Sequence, residues 1–315
     1  MVDVSTYDRN LSSASDLGLS AALRQLLFRW EADASLFESE HLLERLALLD
    51  ELDVIGCGET FPASLDPEIA NPLQALRFRL EAANEALFRC ARLEIASQGN
   101  SSVLRRWLTE PGDRQDSRGP RSPRPTHPTR PGLGFDRRDE IVSGILRLGE
   151  PYEMELPLTL EMTPYQPTPA RHILDLIEAC ELSAGDVLVD LGSGLGHVPL
   201  LVSILTGSCT LGIELQPAYV AIAREAARNL NLSHARFMAE DARTAEIATG
   251  TVFYLFTPFT GSLLMDVLDS LRQESRCRRI RICSLGPCTR NLREQRWLRA
   301  TRLPETERIA VFESR

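Results

Sequence analysis

Asp190-Leu191-Gly192-Ser193-Gly194-Leu195-Gly196-His197 closes one apolar run, Val187-Leu188-Val189, and opens another from Val198 to Leu205. An acid at a strand end, glycines at alternate positions and a new helix make a tight turn whose bare backbone a ligand can approach. Open N–H groups at the helix start favour a polar or anionic ligand group. A second strand, Thr210-Leu211-Gly212-Ile213-Glu214, ends in a carboxylate able to accept hydrogen bonds from both hydroxyls of a ribose. A third, Ala235-Arg236-Phe237-Met238-Ala239, ends in Glu240-Asp241. Three polar strand ends in succession form the crest of a parallel sheet, where ligands bind.

The glycine spacing narrows the ligand. Dinucleotide enzymes use G-x-G-x-x-G/A, with a small residue where this chain has His197. The pattern D-x-G-x-G-x-G instead resembles class I S-adenosylmethionine (SAM) methyltransferases. That resemblance implies Asp190 and Gly192, Ser193, Gly194 and Gly196 at the methionine moiety, Glu214 at the ribose and Asp241, in preference to Glu240, at adenine. It implies SAM as cofactor; independently, the scattered cysteines and five histidines offer no cluster for a metal, so none is expected.

Two segments sharpen the likeness. Asp190 to Val198 matches Asp-Leu-Gly-Ser-Gly-x-Gly-x-Val of the non-SET histone lysine methyltransferases, the disruptor-of-telomeric-silencing type. Upstream, Tyr165-Gln166-Pro167-Thr168-Pro169 stands where that family has Tyr-Gly-Glu-Thr-Ser, before a similar helix. The chain therefore resembles this family and its bacterial relatives over roughly residues 150–290. Tyr165 and Thr168 carry over as a lid; Gln166 and Pro167 replace the family's Gly and Glu. After the fourth strand come Phe256-Thr257-Pro258-Phe259, where the family has an Asn-containing segment lining the methyl-transfer channel. Thr257 and Phe259 are the residues expected at the exit towards substrate. Thr257 lacks the paired donor and acceptor of an amide, and Phe259 could face a cation with its ring. No general base stands out, and Glu153 and Glu161 are the carboxylates within sequence reach.

The elements needed to position these residues are legible. Strands are expected at 186–191, 209–213, 235–239, 251–256 and 279–285, with helices at 197–206, 217–230 and 261–273. A final hairpin joins Trp297–Arg302 to Arg308–Glu313. The fold class is α/β, a Rossmann-like seven-stranded methyltransferase sheet with an antiparallel last hairpin, over residues 140–315.

Residues 1–110 read as a helical domain. Leu19, Leu23, Leu26, Leu27 and Trp30 share a helix face. Ser35-Leu36-Phe37-Glu38 reads as a capping box, and Asn71-Pro72 as a helix start. Leu73, Leu76, Leu80, Ala83, Leu87 and Cys90 form a seam for packing within the domain or for a homodimer. Residues 111–139, rich in Pro, Arg, Gly and Ser, read as a disordered linker with too little apolar surface to fold.

Composition bounds the rest. The 315 residues carry a net charge of −9, and all 35 basic residues are arginine. An acidic chain with an arginine-rich C-terminal end argues against general nucleic-acid binding. The absence of a long apolar stretch or signal pattern leads to the expectation of a soluble, cytoplasmic protein. Seven scattered cysteines contain no C-x-x-C pair. The expected activity is methyl transfer to a nucleophile, nitrogen in the first instance, on a protein side chain or a small molecule. The alternatives are a non-catalytic SAM-binding scaffold and a nicotinamide-dependent oxidoreductase.

Overall fold

The structure is a computed structural model that describes residues 23–25, 27–56, 65–109, 134–149 and 156–315. Leu19, Leu26, Glu153 and the 111–133 part of the expected linker lie outside them. The described residues form two compact units that part at Cys90.

The first unit is helical. Helices α1 (Leu42–Gly56) and α2 (Pro67–Gln98) enclose a core of Leu23, Leu27, Trp30, Leu36, Leu48, Leu52, Ile69, Leu73, Leu76 and Leu80. The first three leucines of the expected seam are thus covered by their own unit. Two sequence expectations are corrected. Ser35 does not open a helix: residues 34–41 form two 3₁₀ turns, Asp33 accepts from Ser35 N, and α1 begins at Leu42. Buried Arg45 explains the turns, because its guanidinium donates to the Leu36 and Glu38 carbonyls and to Asn84 Oδ1, each at 2.6 Å. Nor does α2 start at Asn71-Pro72. It starts at Pro67, where Asp66 accepts from Glu68 N at 2.9 Å, and Pro72 lies inside the helix. Asp66-Pro67 is an equally good cap-and-proline pair five residues earlier, and it prevails.

The second unit contains the end of α2, the short helix α3 (Ser102–Thr109), α4 (Arg137–Leu146) and the α/β sheet. Helix α4 begins ahead of the expected boundary at 140. Asp136 and Asp139 form its capping box, and Asp139 also accepts from Ala170 N at 2.7 Å, the first residue of α5 (Ala170–Ala179).

The sheet has seven strands in the order β3-β2-β1-β4-β5-β7-β6. They are β1 (Val187–Leu191), β2 (Cys209–Glu214), β3 (Ala235–Ala239), β4 (Val252–Leu255), β5 (Arg281–Ser284), β6 (Leu298–Ala300) and β7 (Ala310–Ser314). The first five are parallel; β7 enters antiparallel against β5 and pairs with β6. Strand order reverses at β1, so the crest beyond β1, β2 and β4 opens a crevice. Helix α6 (His197–Thr206) is buried from Val198 through Leu205, which explains its nearly unbroken apolar run. Helices α7 (Pro217–Asn229) and α8 (Gly261–Cys277) bury one face each, and a short α9 (Cys288–Arg293), not foreseen from the sequence, follows β5. No helix among the described residues is long and apolar enough to cross a membrane.

Candidate active site

One cavity of about 430 Å³ sits at the crest, lined by Tyr165, Thr168, Asp190, Gly192, Ser193, Glu214, Asp241, Thr257 and Phe259 among others. Nine of the expected site residues therefore meet in one place, although the chain separates their extremes by nearly a hundred positions. Gly194 and Gly196 shape the turn beside it. Both have positive φ, at 52° and 88°. Gly192 is needed for close approach: a Cβ there would fall 2.3 Å from Pro258 Cβ, so only bare backbone lets the β4 loop meet the β1 turn.

The turn uses many of its own amides. Gly192 N and Ser193 N donate to Ile213 O, and Gly196 N donates to Ser193 O. Glu214 accepts from Gly194 N and from Gln216 N, each at 2.9 Å, so β2 clamps the turn with its terminal carboxylate. These bonds leave less open backbone for an anion than the glycine pattern suggested. Ser193 Oγ, by contrast, is buried without a protein partner and lies against bare Gly212.

Asp190 is 4% exposed. Burial, reinforced by the negative charge of Glu214, pushes its carboxyl up to about 8. A buried acid of this kind stays neutral until a cation arrives to compensate it. Tyr254, the β4 partner of Asp190 in the sheet register, lies beside it and shares a hydroxyl–hydroxyl bond of 3.3 Å with Thr168. Tyr254 was not singled out in the sequence. The pairing of β1 with β4 is the signal that finds it.

A strap from Leu156 to Thr168 covers part of the cavity and is held at three points. Gln216 Nε2 donates to Leu156 O at 2.6 Å, and Leu156 N donates to Gln216 Oε1 at 3.0 Å. Glu161 accepts from Ser262 N and Leu263 N at the start of α8, which holds its carboxyl below the usual range. A carboxyl held low and committed to the start of α8 makes Glu161 a weaker base. Met162 bridges to Phe259, and Thr163 N donates to Pro258 O.

Tyr165, near the end of the strap, lies over the glycine turn. Its hydroxyl is 3.0 Å from His197 Nδ1, and its ring meets Tyr219 edge-on at 5.3 Å. Burial lowers His197 to about 4 and raises Tyr165, so the pair is neutral near pH 7. His197 was read only as a break in dinucleotide spacing; its place in the cavity wall depends on the strap folding back.

At the other wall, Arg243 grips Asp241 through both carboxylate oxygens and holds its carboxyl low. Thr257 has φ 44°, a left-handed conformation unusual for a β-branched residue. Its hydroxyl donates to Leu285 O at 3.1 Å and accepts from Cys288 N at 3.3 Å, so it fastens the β4 loop to the end of β5. Phe259 is both a cavity wall and a member of the buried cluster beneath α8.

The residues fit SAM. Asp190 suits its ammonium, Glu214 at the end of β2 suits ribose hydroxyls, Asp241 suits the adenine amine, and unpartnered Ser193 Oγ offers a further polar contact. Among the described residues no group of His, Cys, Asp and Glu side chains could hold a metal ion.

Residues 163–287 match the family model for Histone methylation protein DOT1. No curated protein sequence matches the chain. Similar solved structures include an RNA methyltransferase from Salinibacter ruber in complex with S-adenosyl-L-homocysteine, 24% identical, covering 47% of this chain and 92% of that one with a TM-score of 0.39. The putative methyltransferase yhhF from Escherichia coli is 16% identical, with 50% and 91% covered and a TM-score of 0.38. Residues 163–287 are thus similar to the DOT1 histone-methylation family, and they lie on a Rossmann-like sheet whose crest cavity is that of a class I SAM-dependent methyltransferase.

Proposed function

We propose that the enzyme methylates a nitrogen nucleophile, on a protein side chain or a small molecule, that enters uncharged. One observation carries this reading. The cavity residues contributed by β4, its following loop, α8 and the turn after β5 (Tyr254, Phe256 to Thr260, Leu263 and Pro287) include no charged side chain. A cationic or anionic acceptor would lose its hydration there without a counter-charge. A neutral amine would not, and the aromatic rings can face the charge that develops on nitrogen, an attraction of about 0.5–2 kcal/mol.

When bound, SAM supplies an activated methyl group on a sulfonium. The chain's own contribution is positional. Asp190, the glycine turn and Glu214 fix one end, Asp241 the other, and the strap with Tyr165 excludes water. Holding the two reactants in line accounts for most of the acceleration such a site offers. With Glu161 engaged at α8, the proton released from nitrogen goes to solvent at the mouth.

The test is incubation of the purified chain with a cell extract and methyl-labelled SAM, followed by mass spectrometry. Label on an amine or amide nitrogen is expected. Base-labile label on a carboxylate, or label on oxygen or sulfur, overturns the acceptor assignment. Cofactor binding with no transfer to any fraction would favour the scaffold reading instead.

A further inference from the structure

Cys180 and Cys283 stand 103 residues apart in the chain, yet their sulfurs lie 2.7 Å from each other. Cys180 caps the C-terminus of α5, and Cys283 lies within β5 between Tyr254 of β4 and Val311 of β7. Both side chains are buried, at 2% and 0% exposure. The Arg281 side chain, two residues before Cys283, donates to the Cys180 carbonyl and forms an ion pair with Asp186. The separation needs only a small movement to reach a sulfur–sulfur bond of about 2.05 Å. We propose that Cys180 and Cys283 form a disulfide, closed by exchange with a small-molecule disulfide such as oxidised glutathione.

The step balances. One cysteine thiolate attacks the external disulfide, forming a mixed disulfide and releasing one glutathione thiolate. The second cysteine thiolate then displaces the other glutathione. Two protein thiols are oxidised, one external disulfide is reduced, and the two protons end on the released glutathione thiols. Burial pushes the Cys283 thiol well up. The mixed disulfide would form first at Cys180, which stands at the end of α5. The bond would tie α5, which starts two residues after Thr168, to a central strand and close a loop of about a hundred residues. Constraint of the unfolded chain is largest for such long loops.

The full chain is incubated with oxidised glutathione, denatured in iodoacetamide and digested for mass spectrometry. A peptide pair linking Cys180 to Cys283 is expected, and it should disappear with dithiothreitol. The exposed Cys90, Cys209 and Cys277 should carry separable glutathione. The oxidised protein should unfold at least about 5 °C higher than the reduced one, and Cys180→Ser should abolish that difference. Should this variant fail to fold, the reduced and oxidised wild-type samples decide. Full alkylation of both residues after oxidation, or equal midpoints, overturns the proposal.

Discussion

The Tyr165 ring rests directly on Gly194: a Cβ on that glycine would fall 2.1 Å from Tyr165 Cε2. The strap and the glycine turn thus meet at a contact that only a glycine permits, and the cavity lies beside it. Gly194→Ala should push the ring out and, at φ 52°, strain the turn. A fall in SAM affinity of at least about tenfold, about 1.4 kcal/mol, is expected by calorimetry. Tyr165→Ala should recover part of the loss in the double variant, because the clash vanishes with the ring. Strict additivity of the two changes would show that the contact does not matter.

Asp190 makes cofactor binding pH-dependent. With its carboxyl near 8, the free protein holds that proton at pH 7, and an arriving ammonium should expel it. Calorimetry in buffers of different ionisation enthalpy should show up to one proton released near pH 7, with none for Asp190→Asn. Stability moves the other way. The folded state binds the proton more tightly than the unfolded chain does, whose value is near 3.8. Stability of the free protein is therefore lost as pH rises from about 4 to about 8, by at most about 1.4 kcal/mol per pH unit. Asp190→Asn should flatten that slope in denaturant titrations.

His197 gives the opposite slope on the acid side. Its folded value near 4 lies below the ordinary 6.5, so the unfolded chain binds more protons between them. Stability should fall as pH drops through that window, again by at most about 1.4 kcal/mol per unit. His197→Gln should remove this dependence while keeping a partner for Tyr165. An unchanged acid limb would mean that the imidazole is solvated.

Gln216 should act on cofactor retention without touching the acceptor. Gln216→Ala breaks both bonds to Leu156 and leaves its backbone groups unpaired, a cost of about 1–3 kcal/mol. Faster SAM dissociation and a KM for SAM raised about tenfold are expected, with kcat within about threefold. A fall in kcat at constant KM would place the strap in the transfer step instead.

Glu161→Ala removes the acceptor for two amides at the start of α8. Amide exchange at Ser262 and Leu263 should accelerate and the unfolding midpoint fall. If Glu161 were the base, its loss would instead shift the pH–rate profile and leave α8 protected.

The sequence alone determined the sheet and its crest. Alternating apolar strands and amphipathic helices can pack in few ways, and an acid at the end of each of β1, β2 and β3 is visible in one dimension. Asp190, Glu214 and Asp241 were therefore legible. Local signals failed where two were equivalent: Asp66-Pro67 competed with Asn71-Pro72, and Asp136-x-x-Asp139 was hidden in a charged, proline-rich stretch. Only the tertiary structure decided that Tyr254 flanks Asp190, that His197 faces Tyr165 and that Thr257 and Glu161 are engaged by backbone. Those relations join residues far apart in the chain. They depend on strand register and on a strap folding back, for which the chain carries no periodic signature.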